Sequence, residues 1–65
     1  MRQVLWGVAD LEDLRADQLA GKSLLEMAER QGPDISAADC DRALWALVGR
    51  TYAEAADALN KRRAA

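Results

Sequence analysis

Histidine and phenylalanine do not occur in this chain of 65 residues, and cysteine and proline occur once each. Without histidine, no side chain has an ordinary pKa near neutrality, so the commonest general base is missing. The single thiol, Cys40, forbids an intrachain disulfide, and with no histidine the common zinc ligand sets are excluded. A lone cysteine suits a reducing compartment, where its expected role is that of a small buried hydrophobe. No stretch approaches the ~20 apolar residues of a membrane span, so no membrane partner is expected. The opening MRQVLWGVADLED has an apolar run shorter than the ~7–15 residues of a signal-peptide core and runs straight into acid. No export leader is expected, and cytoplasm is the expected location.

Catalytic chemistry is equally sparse. GKS at 21–23 lacks the upstream glycine and strand of a phosphate-binding loop. It reads more simply as a glycine stop, a lysine and the next helix cap. The carboxylates of DLED, Asp10 and Asp13, are explained by a helix start, where acids favour the dipole. Neither an enzyme nor a cofactor, metal or small-molecule substrate is expected.

What is present is charge, unevenly placed. Residues 1–41 hold nine acids and four bases, whereas 42–65 hold two acids and five bases, so a front of −5 meets a back of +3. The net charge of −2 argues against a general phosphate binder, whose affinity rests on Lys and Arg.

A repeated helix-start signature organises the chain. In a capping box, a Ser or Thr oxygen accepts from the N3 backbone N–H while an acid at N3 reaches back to the cap. SLLE (Ser23, Glu26), TYAE (Thr51, Glu54) and SAAD (Ser36, Asp39) fit it, and DLED is a looser all-acidic relative. Ile35 and Cys40 flank the third box as a hydrophobic staple. Gly21, Gly32 and Gly49 each follow a helical run as stops, the second sealed by Pro33. The spacing predicts an all-α single domain of four short helices near 10–20, 23–31, 36–48 and 51–63. Their even starts reflect shared capping chemistry, because solenoid repeats have periods of ~20 residues or more.

Helical periodicity assigns the inner faces: Leu11, Leu14 and Leu19; Leu24, Leu25, Met27 and Ala28; Cys40, Ala43, Leu44, Leu47 and Val48; Tyr52, Ala55, Ala56 and Leu59. The segment 1–9 is ambiguous, because Val4, Trp6 and Val8 alternate as in a strand; it is expected as a short strand or an apolar arm across the bundle. Alanine fills many inner positions, so the core is thin. At this length burial and chain entropy nearly cancel, and a partner chain, either a second copy or another protein, is the expected source of extra stability.

Residues 24–47, LLEMAERQGPDISAADCDRALWAL, resemble the first helix, turn and recognition helix of the helix-turn-helix superfamily. Ala28, Gly32, Ser36, Cys40 and the RAL of Arg42 to Leu44 follow that pattern in order. The resemblance implies a DNA-binding regulator contacting DNA through Ser36, Arg42, Arg50 and the C-terminal bases Lys61, Arg62 and Arg63. Two features depart from it. The turn GPDIS is about two residues longer than the tight form, and Asp34, Asp39 and Asp41 would repel a phosphate backbone. NKRR also has a purely local reading, as cations closing a helix at its negative end. The opening of that last segment, GRTYAEAADALN, has the look of another such first helix, yet KRRAA follows it in place of a second.

Aromatics supply the sharper clue. Trp6, Trp45 and Tyr52 are the only ones, and Arg42, Trp45 and Arg50 lie close together in sequence. Trp, Tyr and Arg are the types enriched at the energetic centres of protein interfaces. The leading expectation is a non-catalytic interaction or regulatory module that docks a helical face on a protein partner or on itself as a homodimer. Its contacts would be Trp6, Arg42, Trp45, Arg50 and Tyr52, and nucleic acid is the alternative partner.

Overall fold

The caps divide the chain as their chemistry demands. The computed structural model describes residues 5–64, with side chains through Lys61. It consists of α1 (Val8–Leu19), α2 (Leu24–Gln31), α3 (Ala37–Ala46) and α4 (Tyr52–Ala64), a small all-α bundle with no strand among the described residues. None of these helices is long and apolar enough to cross a membrane.

Three capping boxes are complete. Ser23 Oγ accepts from Glu26 N at 3.2 Å while Glu26 Oε1 accepts from Ser23 N at 3.0 Å. Ser36 and Asp39 exchange the same two bonds at 3.2 and 3.0 Å, and Thr51 and Glu54 at 3.1 and 2.8 Å. The main-chain bond each receives stabilises the carboxylate and holds Glu26 and Glu54 below the ordinary carboxylate range, with the cap hydroxyl adding to the effect.

The first helix starts earlier than the expected 10. Its cap is Gly7, and Asp10 occupies N3, accepting from Gly7 N at 2.9 Å. Glycine has no side-chain oxygen to return the bond, which is why the serine and threonine pattern does not mark this start. Asp13, expected at N3, instead faces α2, where it lies 3.5 Å from Arg30.

α1 ends in a Schellman turn: Lys22 N donates to Asp17 O and Gly21 N to Gln18 O, both at 3.0 Å. That turn needs positive φ at the residue after the cap, and Gly21 supplies it at 83°. Gly32 and Gly49 also have positive φ, at 126° and 71°, as their stop positions require.

α1 packs against all three other helices and α3 touches each neighbour in turn, whereas α2 and α4 do not meet among the described residues. The core is built from Trp6, Leu11, Leu14, Met27, Ala28, Cys40, Ala43, Leu44, Leu47, Ala55, Ala56 and Leu59. Leu24, Ile35 and Tyr52 pack partly buried against it.

Three expected core positions are exposed. Leu25 sits one helical step, about 100°, from the buried line of Leu24 and Ala28, and faces solvent. Val48 lies beyond the end of α3 at Ala46, where the chain leaves helical phase, and is exposed too. Leu19 closes α1, but the inward position of that last turn is held by Asp17, which is only 3% exposed. An acid there is read as a surface residue, so periodicity alone misplaces the stripe. Asp17 is matched by Arg30 of α2, whose Nη1 donates to Asp17 Oδ1.

The arm resolves into residues 5–7, outside any helix or strand and leading directly into α1, with Gly7 extended and Trp6 in the core at 4% exposure. Its backbone is held by α4: Trp6 N donates to Asn60 Oδ1 at 2.8 Å, and Asn60 Nδ2 donates back to Trp6 O at 2.9 Å. Val8 belongs to α1 rather than to a strand, and Val4 lies outside the described residues.

Candidate functional site

α3 presents its polar flank to solvent because Cys40, Ala43 and Leu44 take its inner side. One step around from Leu44, Trp45 points outward and remains 69% exposed. Leaving an indole in water forgoes on the order of 3 kcal/mol of apolar burial. In a chain this small that is a large sacrifice, and it makes this face the first candidate for an interaction surface.

Trp45 stands between two hollows. On one side an open groove of about 550 Å³ runs between the end of α1, the start of α2 and α3. Leu24, Met27, Leu44 and Val48 give it an apolar lining, with Arg15 and Lys22 also at its walls. On the other side Arg42, Trp45, Ala46, Arg50, Ala58 and Leu59 enclose a smaller hollow of about 260 Å³ between α3 and α4. A third hollow, of about 360 Å³, brings Arg50 and Tyr52 together with Arg15 and Leu47.

The fold therefore gathers four of the five expected partner contacts, Arg42, Trp45, Arg50 and Tyr52, along the joint of α3 and α4. Arg50 is fixed there by its Nη1 donating to Ala46 O at 3.0 Å, which satisfies a carbonyl left over at the end of α3. Tyr52 is half-buried, contributing to the core as well as to a hollow. The fifth, Trp6, is not a surface residue: it is buried and its backbone is held by Asn60.

Arg15 and Lys22 were not singled out in the sequence, because nothing local distinguishes them from the solvated bases of an acidic stretch. Only the packing of α1 against α3 brings them to the Trp45 face. The result is a local concentration of charge. Among the described residues, Arg15, Lys22, Arg42 and Arg50 line the three hollows, against a single lining acid, Asp41. Arg42 is loosely paired with Asp39 at 3.9 Å, whereas Arg15, Lys22 and Arg50 make no ion pair among the described residues.

The residues implied by the helix-turn-helix resemblance are more dispersed. Ser36 is occupied in its own capping box. Lys61 lies 3.5 Å from Asp57 one turn away, both exposed. The side chains of Arg62 and Arg63 lie outside the described residues. Near the start of α3, the exposed side chains are Ser36, Ala38, Asp41 and Arg42.

Cys40 is buried in the core beneath this face. Burial pushes its thiol up from the ordinary value, and the neighbouring Asp39 carboxylate adds to the shift. Such a thiol is a poor nucleophile at neutral pH.

No protein-family model, curated protein or solved structure matches this chain.

Proposed function

We propose that this chain is a small non-catalytic protein-interaction or regulatory module that docks a partner on the face of α3 and α4 centred on Trp45. The observation that carries the reading is the exposure of Trp45 between two hollows, flanked by Arg42 and Arg50. A tryptophan ringed by arginines beside an apolar groove has the composition of an interface hot spot. Exposed apolar residues scattered singly need no explanation. Trp45 and Val48, by contrast, border one groove together with Leu24 and Leu44.

The competing reading is a variant helix-turn-helix DNA binder using Ser36, Arg42, Arg50 and Lys61 to Arg63. The succession of α2, a turn and α3 with Arg42 exposed supports it. The acids Asp39 and Asp41 beside Arg42, and the chain's net charge of −2, weigh against it.

A photo-crosslinking residue placed at position 45, with position 29 on an exposed part of α2 as control, tests the docking face. A protein that crosslinks from 45 and not from 29 would then be purified with the chain. It should bind the parent at least about tenfold more tightly than Trp45→Ala, whose helical circular dichroism should be unchanged. Equal crosslinking from both positions, or equal affinity, would sink the reading. DNA retardation at low salt, lost as salt rises, would favour the competing one. Sedimentation of the free chain decides whether it acts as a monomer or a homodimer.

A further inference from the structure

The occupant of the Trp45 face has a chemistry that the face itself specifies. Resting on the docking function proposed above, we infer that it binds an acidic amphipathic helix of a partner protein. The apolar stripe of that helix would enter the groove beside Trp45, and its Asp and Glu side chains would meet Arg15, Lys22, Arg42 and Arg50.

The charge argument comes first. Four bases and one acid line the three hollows among the described residues, and even with Asp39 3.9 Å from Arg42 the face carries an excess of positive charge on a chain whose total is −2. Such an island of opposite sign favours encounter with an anionic partner and rejects a cationic one. The groove beside it is lined by Leu24, Met27, Leu44 and Val48, so charge alone does not fill it. An occupant must bring apolar side chains and carboxylates together.

Backbone chemistry then selects the form of that occupant. Extended peptides commonly dock by adding a strand to a sheet edge, and no strand exists among the described residues. Polyproline segments need several aromatic ridges, whereas Trp45 is the only aromatic left largely exposed among the described residues. What remains is recognition by side chains alone. A helix presenting apolar residues at i, i+3, i+4 and i+7 with acids on its flanks suits a groove of this kind.

A second copy of the chain fits less well. A two-fold dimer through this face would set the same four bases against themselves. Docking the face onto the chain's own acids meets a different obstacle. Asp10, Glu26, Asp39 and Glu54 are engaged in caps, and Asp13, Asp17 and Asp57 in ion pairs, so a second copy would have to offer chiefly Glu12 and Glu29, which stand on two different helices.

The test uses the whole chain and three labelled synthetic helical peptides. One carries leucines at i, i+3, i+4 and i+7 with flanking glutamates; a second replaces the glutamates by lysine; a third replaces the leucines by serine. Fluorescence anisotropy should show binding of the first and at least about tenfold weaker binding of the other two. Trp45→Ala, and separately Arg15→Glu with Arg50→Glu, should each weaken the first peptide by a similar factor while the circular dichroism stays that of the parent.

Equal binding of the lysine peptide would overturn the acidic assignment while leaving the docking face standing. Equal binding of the serine peptide would overturn the amphipathic one. No binding of the first peptide, tighter binding of a single-stranded oligonucleotide, or a dimer closed over Trp45 in sedimentation would each overturn the inference. Failure of the docking function is separately visible, as position-independent crosslinking or a Trp45→Ala variant that keeps its partner.

Discussion

Asn60 closes the bundle by grasping the backbone of Trp6, 54 positions away in sequence, with both ends of its side-chain amide. One amide accepts the N–H and donates to the C=O of the same residue, as a strand would, and so fixes the arm on α4 without a sheet. The pairing joins the two ends of the described chain and seats the indole in the core between them.

This makes Asn60 a sensitive position although it is neither apolar nor fully buried. Asn60→Ala leaves a donor and an acceptor of a part-buried segment without partners, at a cost of about 1–3 kcal/mol. For a domain this small, a loss of 1 kcal/mol lowers the melting temperature by about 4–8 °C. Asn60→Asp keeps the acceptor and loses the donor, and should fall between parent and alanine. Thermal melts of the three proteins check the order; an alanine variant as stable as the parent would show that the clasp contributes nothing.

The ion pair of Asp17 and Arg30 should behave in the opposite way to its appearance. Asp17 is almost wholly buried and its Oδ2 has no hydrogen-bond partner among the described residues, whereas Arg30 is half exposed. The desolvated carboxylate is costly, and one partial ion pair offsets only part of that cost. Arg30→Ala should therefore destabilise by about 1–3 kcal/mol by stranding the carboxylate. Asp17→Leu with Arg30→Met should recover the parent stability or exceed it. Urea titrations of these variants provide the measurement, and a double variant less stable than Arg30→Ala would reverse the assignment.

The capping boxes predict the acid limb of the stability profile. Glu26 and Glu54 have folded pKa values below the ordinary 4.5 because each accepts a main-chain hydrogen bond as a carboxylate. On acidification the unfolded chain takes up these protons before the folded one does. Stability from these two boxes is thus present above about pH 4.5 and is lost as pH falls through the lowered folded values of Glu26 and Glu54. Replacing both residues by Gln retains an acceptor at N3 but removes the titration, so melting temperature against pH should flatten below about pH 5. An acid limb as steep as the parent's would place the titration elsewhere.

These boxes also show why the secondary structure was legible. Ser23, Ser36 and Thr51 each sit three residues before an acid, a local chemical pattern that requires no knowledge of the fold. The start of α1 was not legible to the same rule because Gly7 offers no oxygen. Asp17 escaped because a buried acid can be recognised only through Arg30, 13 residues on. At the candidate site, Arg42, Trp45, Arg50 and Tyr52 are near neighbours in sequence and were found together. Arg15 and Lys22 come to the same face only by the packing of α1 on α3, which no local pattern encodes. Trp6 was ambiguous because its burial depends on Asn60 at the far end of the described chain.

The two tryptophans should therefore separate in both stability and spectroscopy. Trp6 is 4% exposed and Trp45 69%. Truncating a buried tryptophan costs about 3–5 kcal/mol, against a total stability of roughly 3–10 kcal/mol for a chain of this size. Trp6→Ala should leave much of the chain unfolded, whereas Trp45→Ala should change the stability by no more than about 0.5 kcal/mol. Single-tryptophan variants report the same contrast without truncation. Trp6→Phe retains only Trp45, whose emission should be red-shifted and readily quenched by acrylamide. Trp45→Phe retains only Trp6, which should emit to the blue and resist quenching until urea unfolds the chain. Were Trp45→Ala to cost as much as Trp6→Ala, the indole on α3 would belong to the core, and the docking face would lose its centre.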